Sequence, residues 1–328
     1  MLCWLTVAIH AIGLHPRTMP ILTANNIRIA FETTGSARGV PLLLIHGLGM
    51  QLTAWPEELV DGLAEQGFYV IRFDHRDCGL STKFEAAGTP NLALAWLKSR
   101  LRLKLRPAYT LDDMAADALG VLSALGVART HVVGVSMGGM VAQLLAARHG
   151  HRVRSLTSIM SSSGRRQLPG PTRAVRAAML RRPRDPADLD SVLENAVALL
   201  QAIGSPAYPT PPAVLRQRVL RSLRRSNCPS GVARQMLAIA AAPDRSALLK
   251  QLTLPTLFIH GAADPLLPSA CGVDVASKVP GARLVLIEGM GHDLPGQLIE
   301  RLLALIDTHA HGKMGADSDL TAHLFAKQ

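Results

Sequence analysis

The residues best suited to chemistry lie in the segment 134–138, Gly-Val-Ser-Met-Gly, a G-x-S-x-G pattern centred on Ser136. It follows an apolar, β-branched run at 131–135 and precedes residues whose apolar positions recur at three- and four-residue spacing. A tight strand–turn–helix connection of this kind presents the serine hydroxyl above the end of the strand. Side chains two residues before and after Ser136 would collide in the turn, so both positions need glycine. The alternative is an ordinary serine in a glycine-rich turn, which would have no chemical partners.

His292 and Asp264 are the candidate partners of Ser136. A serine hydroxyl is a weak nucleophile near neutral pH, so it needs an imidazole to accept its proton and a carboxylate to orient that imidazole. His292 lies in a glycine-rich loop after one predicted strand. Asp264 follows another predicted strand and precedes Pro265. The sequence therefore predicts a triad with Ser136 as nucleophile, His292 as base and Asp264 as acid.

Other residues compete for these roles. Asp293 and Asp244 are alternatives for the acid, although a carboxylate next to the base in sequence is poorly placed to brace its far ring nitrogen. The alternative for His292 is an ordinary histidine of a surface loop. Asp74 ends a strand that precedes the nucleophile, and we interpret it as a structural carboxylate that organises the turn around Arg76.

The oxyanion formed during attack on a carbonyl needs hydrogen-bond donors. The main-chain N–H of Met137 is one candidate, because it begins the helix directly after the nucleophile. The N–H of Leu48 is the other, because it lies in the loop His-Gly-Leu-Gly (46–49) that follows a buried apolar strand. Glycines in that loop would let the main chain approach a substrate closely, although a plain strand-to-helix turn would have the same composition.

Apolar strands that alternate with amphipathic helices must position these residues. Strands are predicted at 21–23, 27–33, 41–46, 69–74, 131–135, 153–161, 256–260 and 282–288. Helices are predicted at 55–66, 110–125, 174–179, 189–201, 214–223, 232–240, 273–278 and 297–309, with a further helix directly after the nucleophile. This alternation predicts an α/β fold: a mostly parallel sheet covered by helices on both faces, with an inserted helical cap. Functional residues then belong at the carboxyl ends of the strands, where all three triad candidates fall.

The predicted domain organisation follows from a change in composition at Gly164, where proline and arginine become frequent and strand patterns stop until Pro255. The predicted segments are an N-terminal extension (1–18), the first part of the core (19–163), a helical cap (164–252), the second part of the core (253–311) and a polar tail (312–328).

The N-terminal residues and the cysteines indicate the cellular compartment in which the protein is expected. The apolar run at 2–14 has no preceding positive charge and no cleavage motif, so a cytoplasmic protein is expected and export through a signal peptide is the alternative. The four cysteines, Cys3, Cys78, Cys228 and Cys271, form no C-x-x-C pair, so free thiols in a reducing compartment are expected. No zinc-type cluster is visible, and a metal is not expected.

The formal net charge of +11 is concentrated in two segments. Residues 165–250 carry fifteen Lys and Arg against five Asp and Glu, and residues 98–106 add five cations with no acid. Solvated arginine-rich helices are the simplest interpretation, and weak contact of the basic cap with an anionic membrane surface is the alternative. Nucleic acid is not expected as a partner, because no binding motif accompanies the charge and aromatic residues make up only 4% of the chain. The oligomeric state is left open.

Five motifs together resemble a known family. HGLGM, DHRDCGLST, GVSMGGM, HGAADPLLP and GMGHDLP occur in this order and at spacings similar to those of the α/β-hydrolases. Within that family they are similar to the branch of aclacinomycin methylesterases and related carboxylesterases. The resemblance covers residues 20–309, and its specificity lies in the core motifs rather than in the cap. It implies Ser136 as nucleophile, Asp264 as acid, His292 as base, and Leu48 and Met137 as oxyanion donors. Compared with this family, residues 91–107 look like an extra insertion, so the shape of the pocket does not carry over.

The expected function is hydrolysis of carboxylic esters by a serine hydrolase that forms an acyl-enzyme and needs no cofactor. A cap rich in Leu, Ala and Met favours a hydrophobic small-molecule ester as substrate. Lactone opening, amide or peptide cleavage, C–C bond hydrolysis and cofactor-free perhydrolysis remain alternatives, because the same triad serves all of them. A non-catalytic binding protein is a further alternative, which the intact triad argues against.

Overall fold

The structure is a computed structural model that describes residues 19–312. Across that span eight strands form one sheet: β1 (Ile21–Ala24), β2 (Ile27–Thr34), β3 (Val40–Ile45), β4 (Phe68–Phe73), β5 (Thr130–Val135), β6 (Val153–Ile159), β7 (Thr256–Gly261) and β8 (Arg283–Ile287). Their spatial order is β1-β2-β4-β3-β5-β6-β7-β8. The β1–β2 and β2–β4 pairs are antiparallel and the other pairs are parallel. The prediction of a mostly parallel sheet is therefore confirmed.

The same span contains eleven α-helices: α1 (Glu57–Glu65), α2 (Leu92–Arg100), α3 (Leu111–Ala124), α4 (Met137–Arg148), α5 (Arg173–Leu180), α6 (Leu189–Ile203), α7 (Pro212–Arg225), α8 (Pro229–Ala241), α9 (Ser246–Leu249), α10 (Ala270–Lys278) and α11 (Ile299–Ala310). Thr110 is the N-cap of α3 and forms a full capping box with Asp113. Helices α2 and α9 were not predicted.

Two hydrophobic layers hold the sheet between its helices. Side chains alternate along a strand, so Leu43 of β3 packs into one layer and Leu44 into the other. The first layer takes most of its helical residues from α3, α4 and α10, with Ala238 of α8 and Leu249 of α9, and the second takes them from α1 and α11. Because both faces of the central strands are covered, β3 and β4 are apolar along most of their length, which made them visible in the sequence.

Helices α5 to α9 form a single insertion between β6 and β7, which we call the β6–β7 insertion (residues 160–255). Four of its helices correspond to the four predicted for the cap, and the exact cap limits of 164 and 252 stay a prediction. The extra insertion at 91–107 contains α2, whose N-terminus is capped by the Asn91 side chain. The Leu, Ala and Lys residues of α2 favour a helix intrinsically. Only Ala95 of this helix is buried, however, so the sequence has no apolar periodicity that would have predicted α2.

Within residues 19–312, no helix is both long and apolar enough to cross a membrane. The same residues contain no group of three or more His, Cys, Asp or Glu side chains arranged to hold a metal ion. The predicted N-terminal extension (1–18) and nearly all of the predicted polar tail (312–328) lie outside the described residues.

Candidate active site

Ser136 lies at the junction of β5 and α4 in a strained backbone conformation, with φ 56° and ψ −119°. Residues other than glycine rarely adopt positive φ, and they do so where surrounding contacts enforce it. Here the N–H of Ser136 donates to the carbonyl of Ile159 at 3.0 Å, and the Ser161 hydroxyl donates to the carbonyl of Ser136 at 2.8 Å. The end of β6 therefore holds the turn in place.

The two glycines of the motif are required by close approaches of the main chain. A Cβ added to Gly134 would lie 2.3 Å from the carbonyl oxygen of Gly138, which confirms the predicted collision inside the turn. A Cβ added to Gly138 would lie 2.1 Å from the carbonyl oxygen of Ile45, at the end of β3. The second glycine is thus needed for contact with the neighbouring strand, a reason that the sequence did not supply.

The structure brings Ser136, His292 and Asp264 into one hydrogen-bonded chain, which we call the triad cluster. His292 Nε2 lies 2.9 Å from Ser136 Oγ, and His292 Nδ1 lies 2.7 Å from Asp264 Oδ2. An ionised carboxylate only accepts hydrogen bonds, so Nδ1 carries the proton and Nε2 accepts from the serine hydroxyl. His292 and Asp264 are both buried, whereas Ser136 is partly exposed. This tautomer is the one that a general base for Ser136 requires.

Asp264 is fixed by its own loop. Its Oδ1 accepts hydrogen bonds from the main-chain N–H groups of Leu266 and Leu267 at 2.9 and 2.8 Å, which leaves Oδ2 facing His292. A second histidine, His260, lies 3.6 Å from Oδ2, but its Nε2 donates to the carbonyl of Leu267 at 2.7 Å. Burial lowers the pKa of His260, so that ring is neutral near pH 7. Of the two histidines beside Asp264, His260 is therefore held by the carbonyl of Leu267, and His292 is the one that contacts Ser136.

The alternative acids are engaged elsewhere. Asp293 accepts a short hydrogen bond from the Ser205 hydroxyl in the β6–β7 insertion, and burial raises the pKa of its carboxyl. Asp244 accepts from the main chain and the hydroxyl of Ser246. The structure therefore places Asp264, and neither alternative, in contact with the His292 ring.

Asp74 is a structural carboxylate, as interpreted from the sequence, and it accepts from the N–H of Leu80 within the predicted turn. Its cationic partner, however, is Arg225 of α7 at 2.8 Å. Arg76 instead forms a buried ion pair with Asp117 of α3 at 2.6 Å. The expectation that Asp74 organises the turn is met, while the arginine that binds it comes from an element 150 residues away in sequence.

The loop 46–49 lies directly beside Ser136. A Cβ on Gly47 would contact Ser136 Cβ at 3.4 Å and Ser136 Oγ at 3.9 Å. Among the described residues, no acceptor is found for the main-chain N–H of Leu48 or of Met137. The loop that contains Leu48 therefore lies beside Ser136, and the assignment of the Leu48 and Met137 N–H groups as oxyanion donors stays a prediction.

The β6–β7 insertion holds the loops on both sides of Ser136. Gln235 of α8 is buried; its Oε1 accepts from the N–H of Gly49 and its Nε2 donates to the carbonyl of Arg76, each at 2.9 Å. On the other side, Ser205 accepts from the N–H of Gly291 at 2.8 Å. Sequence reasoning missed both residues, because a single polar residue in a cap helix or loop carries no signal of what it will meet.

A second group of buried charges, which we call the anchor cluster, joins the insertion to the β4 loop. It consists of Asp74, Asp77, Arg225 and Arg234. Arg234 of α8 binds Asp77 through two hydrogen bonds of 2.7 Å, and both side chains are almost fully buried. Burial alone would raise the pKa of Asp77, but hydrogen bonds from Arg234, Phe84 and Tyr109 outweigh it and lower that pKa. A carboxylate this well satisfied is a structural support.

A mostly parallel sheet, a serine on a strained turn after its fifth strand, and a histidine–aspartate pair from the loops after β8 and β7 are the architecture of an α/β-hydrolase. A family model described as the alpha/beta hydrolase fold matches residues 40–296. The chain belongs to this family.

Known relatives and solved structures agree with this assignment. Rhodomycin D methylesterase DauP of Streptomyces sp. (strain C5) is 30% identical over 309 residues, which cover 88% of this chain and 97% of that protein. Rhodomycin D methylesterase DnrP of Streptomyces peucetius is 30% identical over 311 residues, with the same coverage. The crystallised meta-cleavage product hydrolase of Pseudomonas fluorescens IP01 has a TM-score of 0.70 at 20% identity and covers 90% of this chain and 98% of its own. The last likeness shows the fold alone.

Proposed function

We propose that this protein is a serine hydrolase that cleaves carboxylic esters through an acyl-enzyme intermediate. The observation that carries the proposal is the hydrogen-bonded chain from Ser136 Oγ through His292 to Asp264, with contacts of 2.9 and 2.7 Å. A hydroxyl, an imidazole and a carboxylate in this order supply a nucleophile, a base and the group that orients and stabilises the base.

In the proposed reaction, Ser136 Oγ attacks the ester carbonyl carbon while His292 Nε2 takes the hydroxyl proton. The imidazolium is stabilised by Asp264, which stays ionised. His292 then gives the proton to the departing alkoxide, so the alcohol leaves and Ser136 carries the acyl group. Water repeats the sequence: His292 takes its proton, the resulting nucleophile attacks the acyl carbon, and Ser136 leaves with the proton returned to its oxygen.

The main-chain N–H groups of Leu48 and Met137 are the proposed oxyanion donors. Met137 directly follows Ser136, Leu48 lies in the loop whose Gly47 borders Ser136, and neither N–H has an acceptor among the described residues. Main-chain donors suit this task because the fold fixes their direction before the substrate arrives. The strained backbone of Ser136 contributes by bringing its hydroxyl and the N-terminus of α4 to the same point.

A methyl ester of a hydrophobic acid is the proposed substrate class. Its support is the similarity, at 30% identity over nearly the whole length, to two proteins named as methylesterases. The predicted cap is rich in apolar residues, which supports an apolar acid part. The proposed cofactor requirement is none, because the triad and the oxyanion donors complete the reaction by themselves.

A panel of substrates with a covalent probe tests the proposal. Purified protein would be assayed on methyl esters of aromatic and aliphatic acids, on p-nitrophenyl esters of rising chain length, and on a lactone and an amide of matched size. A fluorophosphonate should label Ser136, as shown by peptide mass, and should abolish activity in proportion to labelling. Absence of labelling would contradict a serine hydrolase, and preference for the lactone or the amide would contradict the ester assignment alone.

A further inference from the structure

The segment that connects β4 to α3 exposes an unusual cluster of apolar side chains. We call residues 92–106, which comprise α2 and the irregular chain after it, the α2 segment. Five of the eleven large hydrophobic side chains that are exposed within residues 19–312 belong to it: Leu94, Trp96, Leu97, Leu101 and Leu103. Trp96 is 66% exposed and Leu101 is 61% exposed. Isolated exposed apolar residues are ordinary, but a cluster within ten residues marks an interaction surface.

Basic side chains surround this apolar cluster. Lys98, Arg100, Arg102, Lys104 and Arg106 are all exposed, and none of them forms an ion pair with a described residue. Residues 91–107 contain no Asp or Glu. From 101 to 106 apolar and basic residues alternate, so the two kinds of side chain are mixed within one small surface.

The exposed residues of α2 are not needed to attach the helix. The helix packs against α8, and Ala95 is its only buried residue among those described. A small residue such as Ala95 is enough to pack the helix against α8. The solvent-facing Trp and four Leu of the α2 segment lower the solubility of the protein unless they contact another apolar surface.

We propose that the α2 segment is a docking surface for membranes that contain anionic lipid. Leucine and tryptophan side chains insert at the boundary between headgroups and acyl chains, while the cationic ends of Lys and Arg remain at the headgroup level. Five unpaired cations are complementary to an anionic leaflet. The proposal does not depend on the proposed enzymatic function.

Charge makes the lipid a better occupant than a second copy of the chain. In a two-fold contact the same surface lies on both subunits, so five cations would face five cations. The β6–β7 insertion is also basic and exposes Leu180 near several arginines, but Asp185, Asp188 and Asp190 follow closely there. The α2 segment has no such acids, so the membrane contact that was an alternative for the basic cap is placed on the α2 segment instead.

Vesicle sedimentation with the full-length protein tests the proposal. The vesicles would be phosphatidylcholine alone or phosphatidylcholine with one quarter phosphatidylglycerol. We expect binding to the anionic vesicles only, and its loss when salt rises from about 0.1 M to about 1 M, where the screening length falls from about 10 Å to about 3 Å.

Matched charge variants locate the surface. The triple variant Arg100→Ser, Arg102→Ser and Lys104→Ser should weaken binding by about tenfold or more. The control, Arg181→Ser, Arg182→Ser and Arg184→Ser, removes the same charge from exposed positions of the insertion and should bind like the unmodified protein. Equal loss in both variants would overturn the assignment to the α2 segment.

Tryptophan fluorescence supplies an independent readout. Trp96 is exposed and Trp55 is buried, whereas Trp4 lies outside the described residues, so the measurement uses a Trp4→Phe background. In that background a blue shift on addition of anionic vesicles should disappear when Trp96→Phe is added, while sedimentation persists. A shift retained in that variant, or failure of the protein to bind anionic vesicles at all, would overturn the proposal. Binding to soluble polyglutamate but not to vesicles would also overturn it, in favour of an acidic protein partner.

Discussion

The triad cluster and the anchor cluster both place buried carboxylates at the carboxyl edge of the sheet, but their partners differ. Asp264 faces His292, whose imidazole can both accept and release a proton. Asp77 faces Arg234, whose guanidinium keeps its proton throughout. The first carboxylate can therefore support proton transfer, while the second can only hold two elements together.

The number of satisfied hydrogen bonds also separates the two clusters. Both oxygens of Asp77 accept from Arg234, and Phe84 and Tyr109 add one further donor each. The triad chain instead ends at the partly exposed hydroxyl of Ser136, beside two N–H groups that have no acceptor among the described residues. A hydrogen-bonded chain that ends beside donors without acceptors can still bind another molecule. A carboxylate whose oxygens are all bonded within the protein can only support the structure.

The largest expected effect on turnover comes from breaking the triad chain at its hydroxyl or its imidazole. Ser136→Ala and His292→Ala should each lower kcat by roughly 10⁴-fold or more, because the proposed nucleophile or its proposed base is lost. Initial rates on the best ester, with urea unfolding as a check on folding, measure this. If a variant of either residue kept a tenth of the activity, that residue would not have its proposed role in the mechanism.

The next largest effect on turnover is expected from substituting one of the two aspartates near His292. Asp264→Asn should lower kcat by roughly 10³- to 10⁴-fold, because the amide no longer selects the Nδ1–H tautomer of His292. Asp293→Asn is the matched control and should change kcat by less than about tenfold, since an amide oxygen still accepts from Ser205. The reverse ranking would transfer the role of acid to Asp293.

A smaller effect on turnover is expected at Gln235, as a positioning residue. Gln235→Leu removes the acceptor that fixes Gly49, so the Leu48 N–H should lose its alignment and kcat should fall by about 10- to 100-fold with KM nearly unchanged. Gln143 is equally buried but binds Arg245, so Gln143→Leu should lower stability without this change in kcat. A fall in kcat of the same size in both variants would mean that general loosening is responsible.

Breaking the anchor cluster should affect stability more than turnover. Arg234→Met leaves the buried Asp77 without its counter-ion, and the free energy of unfolding should fall by about 3–5 kcal/mol. Urea denaturation measures this loss, and activity per folded molecule should remain within about tenfold. The double variant Asp77→Asn/Arg234→Met should recover part of the stability, because the unpaired charge is removed. A double variant less stable than Arg234→Met would contradict this origin of the loss.

The pH dependence of the anchor cluster gives the smallest effect. The folded-state pKa of Asp77 is lowered, so its stabilisation is fully present above the unfolded pKa of about 3.9 and is lost as pH falls through the lower folded value. The difference in unfolding free energy between the unmodified protein and Asp77→Asn should therefore be constant from about pH 5 to 7 and should shrink below about pH 4. A difference that grew on acidification would mean that the pKa of Asp77 is raised.

Local patterns and chain order made most of the fold and the candidate site predictable. Ser136 was visible because its turn demands glycines, and His292 and Asp264 were visible because parallel strands bring their carboxyl ends to one edge. By contrast, nothing near Asp74 in sequence indicated Arg225 as its partner, and nothing near Gly49 indicated Gln235. Those contacts join segments that are more than 150 residues apart.

The sequence by itself determined which residues had to follow the strands, because hydrophobic periodicity and glycine requirements are local properties of the chain. Only the tertiary structure decided which of several nearby carboxylates faces His292, and which helices of the β6–β7 insertion hold the loops around Ser136. Those choices depend on distances and directions between side chains from distant segments, and they arise only when the insertion packs onto the edge of the sheet.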